Sequence, residues 1–169
     1  MKVAVLMGSA SDQGKMEPAV TTLGEFGIEV DERVMSAHRT PAVVAEFAGT
    51  ARANGYAAII CGAGMAAHLA GAVAANTTLP VVGVPLSGGA IGGIDALYST
   101  VQMPRGIPVA TVAIGNAKNA GILAARILGT GDPDLQERLV TYQQGLADAA
   151  HAKGAAVREA SARPQRLGF

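Results

Sequence analysis

The chain reads as an α/β protein, a three-layer α/β/α sandwich around a five-stranded parallel sheet. Three observations predict this. Short, nearly continuous apolar runs such as Val3–Met7 and Ala57–Cys61 alternate with stretches of helical periodicity. Most of the apolar runs give way to small, polar or glycine-containing segments, as strands do when they feed helices. A length of 169 residues, without an internal repeat or a low-complexity linker, fits one domain.

Val3–Met7 is the first strand, and Gly8-Ser9-Ala10-Ser11-Asp12 leads from it into a helix that runs to about Phe26 and stops at Gly27. The second strand, Ile28 to Met35, carries Glu29, Asp31, Glu32 and Arg33, a polarity that suits a sheet edge. Ser36-Ala37-His38-Arg39-Thr40-Pro41 joins it to a helix with Thr40 at the N-cap and Pro41 in the first turn; Asn54-Gly55 ends that helix. Ala57–Cys61 is the third strand, Gly62-Ala63-Gly64 a turn, and a helix of small residues follows from about Ala66 to Asn76. Val81–Val84 is the fourth strand; the glycine-rich loop from Ser87 to Gly93 leads to a helix with Ile94, Leu97, Tyr98 and Val101 in register, ended by Met103-Pro104. Pro108 to Ile114 is the fifth strand, followed by a helix from about Ala117 to Leu128. Asp132-Pro133 opens the last helix, with Leu135, Leu139, Tyr142, Leu146 and Ala150 spaced by threes and fours. The domain is expected to span residues 1–156, leaving 157–169 as a loosely ordered tail; the arginines beyond Lys153 are Arg158, Arg163 and Arg166. Five βα units in about 130 residues favour the flavodoxin-like strand order 2-1-3-4-5, with the polar second strand outermost, plus a C-terminal helix.

Composition narrows the function classes. Thirteen basic and thirteen acidic residues cancel, so no polyanion-binding surface and no nucleic-acid partner are expected. No apolar run approaches the ~20 residues that span a bilayer, and Met1-Lys2 leads straight into a strand, so the expected location is the cytoplasm. The single cysteine, Cys61, rules out an internal disulfide and a cysteine cluster, and its place at the end of an apolar run reads as buried. Charged residues make up only 15% against a typical share of roughly 25%, which predicts apolar surface covered by a tight homo-oligomer.

In a doubly wound sheet the ligand sits beyond the carboxyl ends of the strands, and the chain's unusual residues collect there. His38 is the side chain suited to give and take a proton near neutral pH, and Arg39 offers a planar fork for phosphate or carboxylate. The small residues of the first loop, with the Ser9 and Ser11 hydroxyls, suit a phosphate monoester. Asp12 suits a ribose diol, since a carboxylate repels phosphate; helix capping is an equally good account of Ser11 or Asp12. The Gly62–Gly64 backbone could hold a small anion, while His68, inside a predicted helix, is open to a structural or a catalytic role. His151 reads as surface. Three dispersed histidines make no metal site, and neither a dinucleotide fingerprint nor a P-loop lysine is present.

Taken together, Met7-Gly8-Ser9-Ala10-Ser11-Asp12, Ser36-Ala-His-Arg-Thr-Pro41, Gly62-Ala-Gly64 with Ala66-Ala-His-Leu69, and Val101-Gln-Met-Pro104 with Gly106-Ile-Pro-Val109 carry a resemblance. They resemble the N5-carboxyaminoimidazole ribonucleotide mutases of purine biosynthesis, in order and spacing, across nearly all of residues 2–145. The resemblance implies a reaction free of cofactor and metal, in which a carboxyl group moves from an exocyclic nitrogen to the neighbouring ring carbon. It makes His38 the general acid and base. It gives the phosphate to Ser9, Ser11, Ser36 and Arg39 and the ribose to Asp12. Carbon dioxide would be held at Gly62, Ala63 and Gly64, and His68 and Leu69 would shape the pocket. It also implies an octamer. Two positions depart from the family pattern: Met65 stands where glycine is usual and Ala70 where proline is, both beside the carbon dioxide pocket. The related carboxylases, which use free carbon dioxide, usually carry lysine in place of Arg39. A flavin-binding module is disfavoured because no aromatic residue lies in the three loops.

Overall fold

The computed structural model describes residues 1–162. Five parallel strands, β1 (Lys2–Met7), β2 (Glu29–Val34), β3 (Tyr56–Gly64), β4 (Val81–Leu86) and β5 (Ala110–Thr111), lie in the order β2-β1-β3-β4-β5. The helices are α1 (Gln13–Glu25), α2 (Pro41–Thr50), α3 (Leu69–Ala74), α4 (Ile94–Val101), α5 (Ala117–Gly129) and α6 (Pro133–Ala162). A single 3-10 turn, Ala10–Asp12, precedes α1.

Alternation along the central strands sends successive side chains to opposite layers. Val3, Val5 and Met7 of β1 with Ile60 of β3 face α1, α5 and the first turns of α6, where Met16, Leu23, Ala124 and Leu135 are buried. Ala4, Leu6, Ile59 and Cys61 face α2 and α3, meeting Val44, Phe47, Leu69 and Val73. Each fully buried aliphatic side chain contributes about 1.5–3 kcal/mol, so the two layers fix the strand order in the middle of the sheet. β2 pairs only with β1, from Lys2↔Glu29 to Met7↔Val34, and exposes Glu29, Glu32, Arg33 and Val34 as an edge strand can.

Four boundaries differ from the sequence expectation. Gly62-Ala63-Gly64 is not a turn: these residues continue β3 and pair with Val84, Pro85 and Leu86. The helix expected from Ala66 begins only at Leu69, because Met65 takes φ 53° and redirects the chain before helical geometry starts. His68 is therefore the residue before the helix rather than a member of it. β5 shrinks to two residues, paired Val82↔Ala110 and Gly83↔Thr111. Pro85 has no N–H to extend that ladder, and its carbonyl accepts instead from Gly115 N at 2.8 Å. Finally, α6 runs on through residues 157–162, where a loose tail was expected; Arg158 is helical, and Arg163 and Arg166 lie outside the described residues.

Candidate active site

Strands β1, β2 and β3 are neighbours, so the loops after them meet at one end of the sheet and enclose a cavity of about 620 Å³. Among the residues lining it are Ser9, Ser11, Asp12, Ser36, His38, Arg39, Ala63, Gly64 and Leu69. Neither His68, which stands behind His38, nor Gly62 lines it. That glycine sits in the strand ladder, where its carbonyl accepts from Gly8 N at 3.1 Å and its missing side chain leaves room for Met16. The Gly8–Gly62 bond ties the first loop to β3.

The first loop is built by its own serines. Ser9 Oγ accepts from Ser11 N at 3.4 Å and from Ser11 Oγ at 2.9 Å, which makes Ser9, rather than Ser11 or Asp12, the cap of the short 3-10 turn. The Asp12 side chain makes no capping bond; it stands 3.8 Å from Lys15 Nζ one turn along.

The second loop folds around Ser36. Its hydroxyl accepts from Arg39 N at 3.2 Å and from Arg39 Nε at 3.3 Å, while Arg39 Nη2 donates to Gly8 O at 3.3 Å. The guanidinium thus spans the first two loops with its plane fixed. Thr40 occupies the N-cap position of α2, yet its hydroxyl does not cap the helix. It donates to Ser36 O at 3.0 Å and accepts from Ser36 N at 3.3 Å, closing the loop back onto its own start. Pro41 supplies the first helical residue.

These closures deliver His38 to His68. His38 Nε2 and His68 Nδ1 are 2.6 Å apart, with the rings crossed at 86°. Two neutral imidazoles at that distance share one proton, one nitrogen donating and the other accepting. Spacing along the chain did not reveal this pair, because the two residues are thirty positions apart and His68 was expected inside a helix. Among the described residues no cluster of three or more His, Cys, Asp and Glu could hold a metal, and no helix is long and apolar enough to cross a membrane. His151 is exposed on α6.

A family model described as AIR carboxylase matches residues 2–149. The chain belongs to that family. It is 53% identical over 154 residues to the N5-carboxyaminoimidazole ribonucleotide mutase of Mycobacterium leprae, covering 91% of this chain and 90% of that one. It is 51% identical over 144 residues to a phosphoribosylaminoimidazole carboxylase of Schizosaccharomyces pombe, covering 85% of this chain but 26% of that larger protein. The crystal structure of Treponema denticola PurE superposes with a TM-score of 0.84 at 31% identity, covering 92% of this chain and 97% of that one.

In this AIR carboxylase family member the cavity also holds residues that sequence reasoning passed over. Lys15 and Ser87 line it, as does Met65, which was noted only as a departure from the family pattern. Lys15 could have been found from its place one helical turn beyond Asp12; Ser87 could not, since only the tertiary fold brings it there.

Proposed function

We propose that the protein is a mutase that converts N5-carboxyaminoimidazole ribonucleotide to 4-carboxy-5-aminoimidazole ribonucleotide in the de novo purine (IMP) pathway. The single observation that carries the reading is the His38–His68 pair beside a cavity bordered by hydroxyls and a fixed guanidinium. Relatives that share half their residues with this chain bear the corresponding name.

In this reading Ser9, Ser11, Ser36 and Arg39 hold the phosphate, which places three hydroxyls and one planar cation around it. Asp12 takes the ribose hydroxyls. His38 gives a proton to the exocyclic nitrogen as its bond to the carboxyl carbon breaks, releasing carbon dioxide and the free amine. The electron-rich ring carbon beside it then attacks carbon dioxide, and His38 takes the proton that this carbon loses. Protons and electron pairs balance within substrate and imidazole, so the route calls for no cofactor. His68 accepts from or donates to His38 Nε2 and so fixes which ring nitrogen is free to exchange protons. Carbon dioxide is held between the two steps against Ala63, Gly64 and Leu69, where proximity replaces a bimolecular capture.

The same reading makes the protein a cytoplasmic homo-oligomer, an octamer by family resemblance. Ile91, Ile94, Tyr98 and Val101 are all about half exposed or more and lie in and just before α4, an apolar strip that a second copy would cover.

The test is to mix purified protein with N5-carboxyaminoimidazole ribonucleotide, without added bicarbonate, and follow the ultraviolet absorbance of the carbon-carboxylated product. Conversion by the wild type and none by His38→Asn supports the mutase. Turnover of aminoimidazole ribonucleotide only when bicarbonate is supplied makes the protein a carboxylase instead. Inactivity in both assays overturns both readings.

A further inference from the structure

The loop between β4 and α4, Ser87 to Gly93, forms one wall of the cavity at Ser87 and Gly88. Its shape depends on backbone that only glycine adopts freely: Gly89, Gly92 and Gly93 take φ of 73°, 66° and 97°. Its two ends touch, since a methyl group at Gly93 would lie 3.1 Å from Ser87 Cα. A loop of this kind, rich in glycine and closed on itself, has little of its own to hold it in one place.

One side-chain hydrogen bond, among the described residues, ties it to the rest of the protein: Lys15 Nζ donates to Ser87 O at 2.8 Å. The same ammonium stands 3.8 Å from the Asp12 carboxylate. Lys15 itself lines the cavity, and its side chain keeps 45% of its surface exposed, so it is not part of the core. On the other flank Met65 lies against the loop, its Cγ 3.4 Å from where a methyl at Gly89 would be. Lys15 is thus the bridge between the first loop, where the phosphate cradle is, and the fourth, which sequence reading left without a role.

We propose that Lys15 is a positioning residue of the active site: it clasps the Ser87–Gly93 loop over the cavity and holds Asp12 beside it. Two consequences follow from its charge. A charged donor on a carbonyl is stronger than a neutral one, so the clasp restrains the Ser87 end of the loop, while Leu97 N donating to Gly93 O at 2.9 Å holds the other end. A cation beside Asp12 also offsets the negative charge that a phosphate entering the cradle would otherwise meet. Lys15 acts through Ser87 and Asp12 and touches no reacting atom, so binding rather than the chemical step depends on it. This kinetic half rests on the mutase reading; the restraint on the loop does not.

The experiment compares wild type, Lys15→Met and Lys15→Arg by two readouts. Steady-state kinetics with N5-carboxyaminoimidazole ribonucleotide should show KM raised about tenfold in Lys15→Met with kcat within about threefold, in keeping with the loss of one charge-assisted bond. Amide hydrogen exchange, measured without substrate, should be about tenfold faster in residues 87–93 of that variant, while β1 and β3 exchange as in wild type. Lys15→Arg should recover most of both effects, since it retains a charged donor. Unchanged loop exchange in Lys15→Met overturns the clasp, and a fall in kcat at constant KM overturns the positioning role. If the wild type itself turns over no substrate, the mutase reading fails, and the exchange comparison alone decides whether Lys15 restrains the loop.

Discussion

His38 Nε2 and His68 Nδ1, thirty residues apart in the chain, meet at 2.6 Å beside the cavity. The contact exists because two unrelated backbone events coincide. Ser36 folds the second loop so that His38 turns toward the third, and Met65 delays the start of α3 so that His68 precedes the helix. The contact occupies Nε2 of His38 and leaves its other ring nitrogen, Nδ1, outside the pair.

On the proposed mechanism, replacing His38 by Asn removes the general acid and base while keeping a similar shape. We expect kcat to fall by about 10²–10⁴, the usual worth of a positioned proton-transfer group, with KM changed little. Steady-state kinetics on the folded variant checks this.

His68→Ala leaves His38 Nε2 without its partner, whereas His68→Asn can return an amide atom to the place of Nδ1. We expect kcat to fall about 10–100-fold in the first and to recover in part in the second, by analogy with the second-sphere partners of other functional histidines. Equal losses in both variants would argue that His68 serves only as packing.

Met65 holds φ 53° and is 61% exposed, so it bears the strain of left-handed backbone with little burial to offset it. Met65→Gly should stabilise the fold by about 0.5–1 kcal/mol and raise Tm by about 2 °C, partly offset by the greater freedom of glycine in the unfolded chain. A calorimetric scan reads the change directly.

Gly83 lies in β4 under α4, where a methyl group would collide with Thr100 Cγ2 and approach Val109 Cγ1 to 2.9 Å. Both neighbours are β-branched and stiff. Gly83→Ala should therefore cost about 1–3 kcal/mol by overpacking. Gly62→Ala meets the flexible Met16 side chain instead and should cost less. Denaturant unfolding of the two variants ranks them.

At the far end of the sheet Asp31 is held by Tyr56 and Arg33. Burial pushes its carboxyl up, but the hydrogen bonds from Tyr56 and Arg33, with the charges of Arg33 and Lys2, outweigh burial and leave it below its ordinary value. A carboxyl lowered by folding adds stability that is full above its unfolded value, about 4, and is lost as pH falls through the folded one. Asp31→Asn should be less stable than wild type at neutral pH, with the gap narrowing below about pH 4; urea midpoints across that range test it.

Much of this protein was legible in the residues alone. Apolar runs of strand length, alternating with helical periodicity, specify a covered parallel sheet, because no other packing buries both faces of such strands. Polar Glu29, Asp31 and Arg33 marked β2 as an edge, and Asp132 marked the start of α6, where its carboxylate accepts from Leu135 N at 2.9 Å. The Ser36–Pro41 segment stood out by its hydroxyl, imidazole and guanidinium groups and Gly8–Asp12 by its serines and carboxylate, and the strand order brings both segments to one cavity.

What lay beyond the sequence was decided by tertiary contact. Gly62–Gly64 looks like a turn by composition but becomes strand, since pairing with β4 on one side satisfies backbone that glycine would otherwise leave loose. β5 was cut to two residues by a proline in its neighbour, β4. The His38–His68 pair and the Lys15–Ser87 bond join positions 30 and 72 residues apart, which no local pattern encodes. Periodicity reports which face of an element is buried. The order of strands then determines which loops meet, and only that meeting turns separate polar residues into a site.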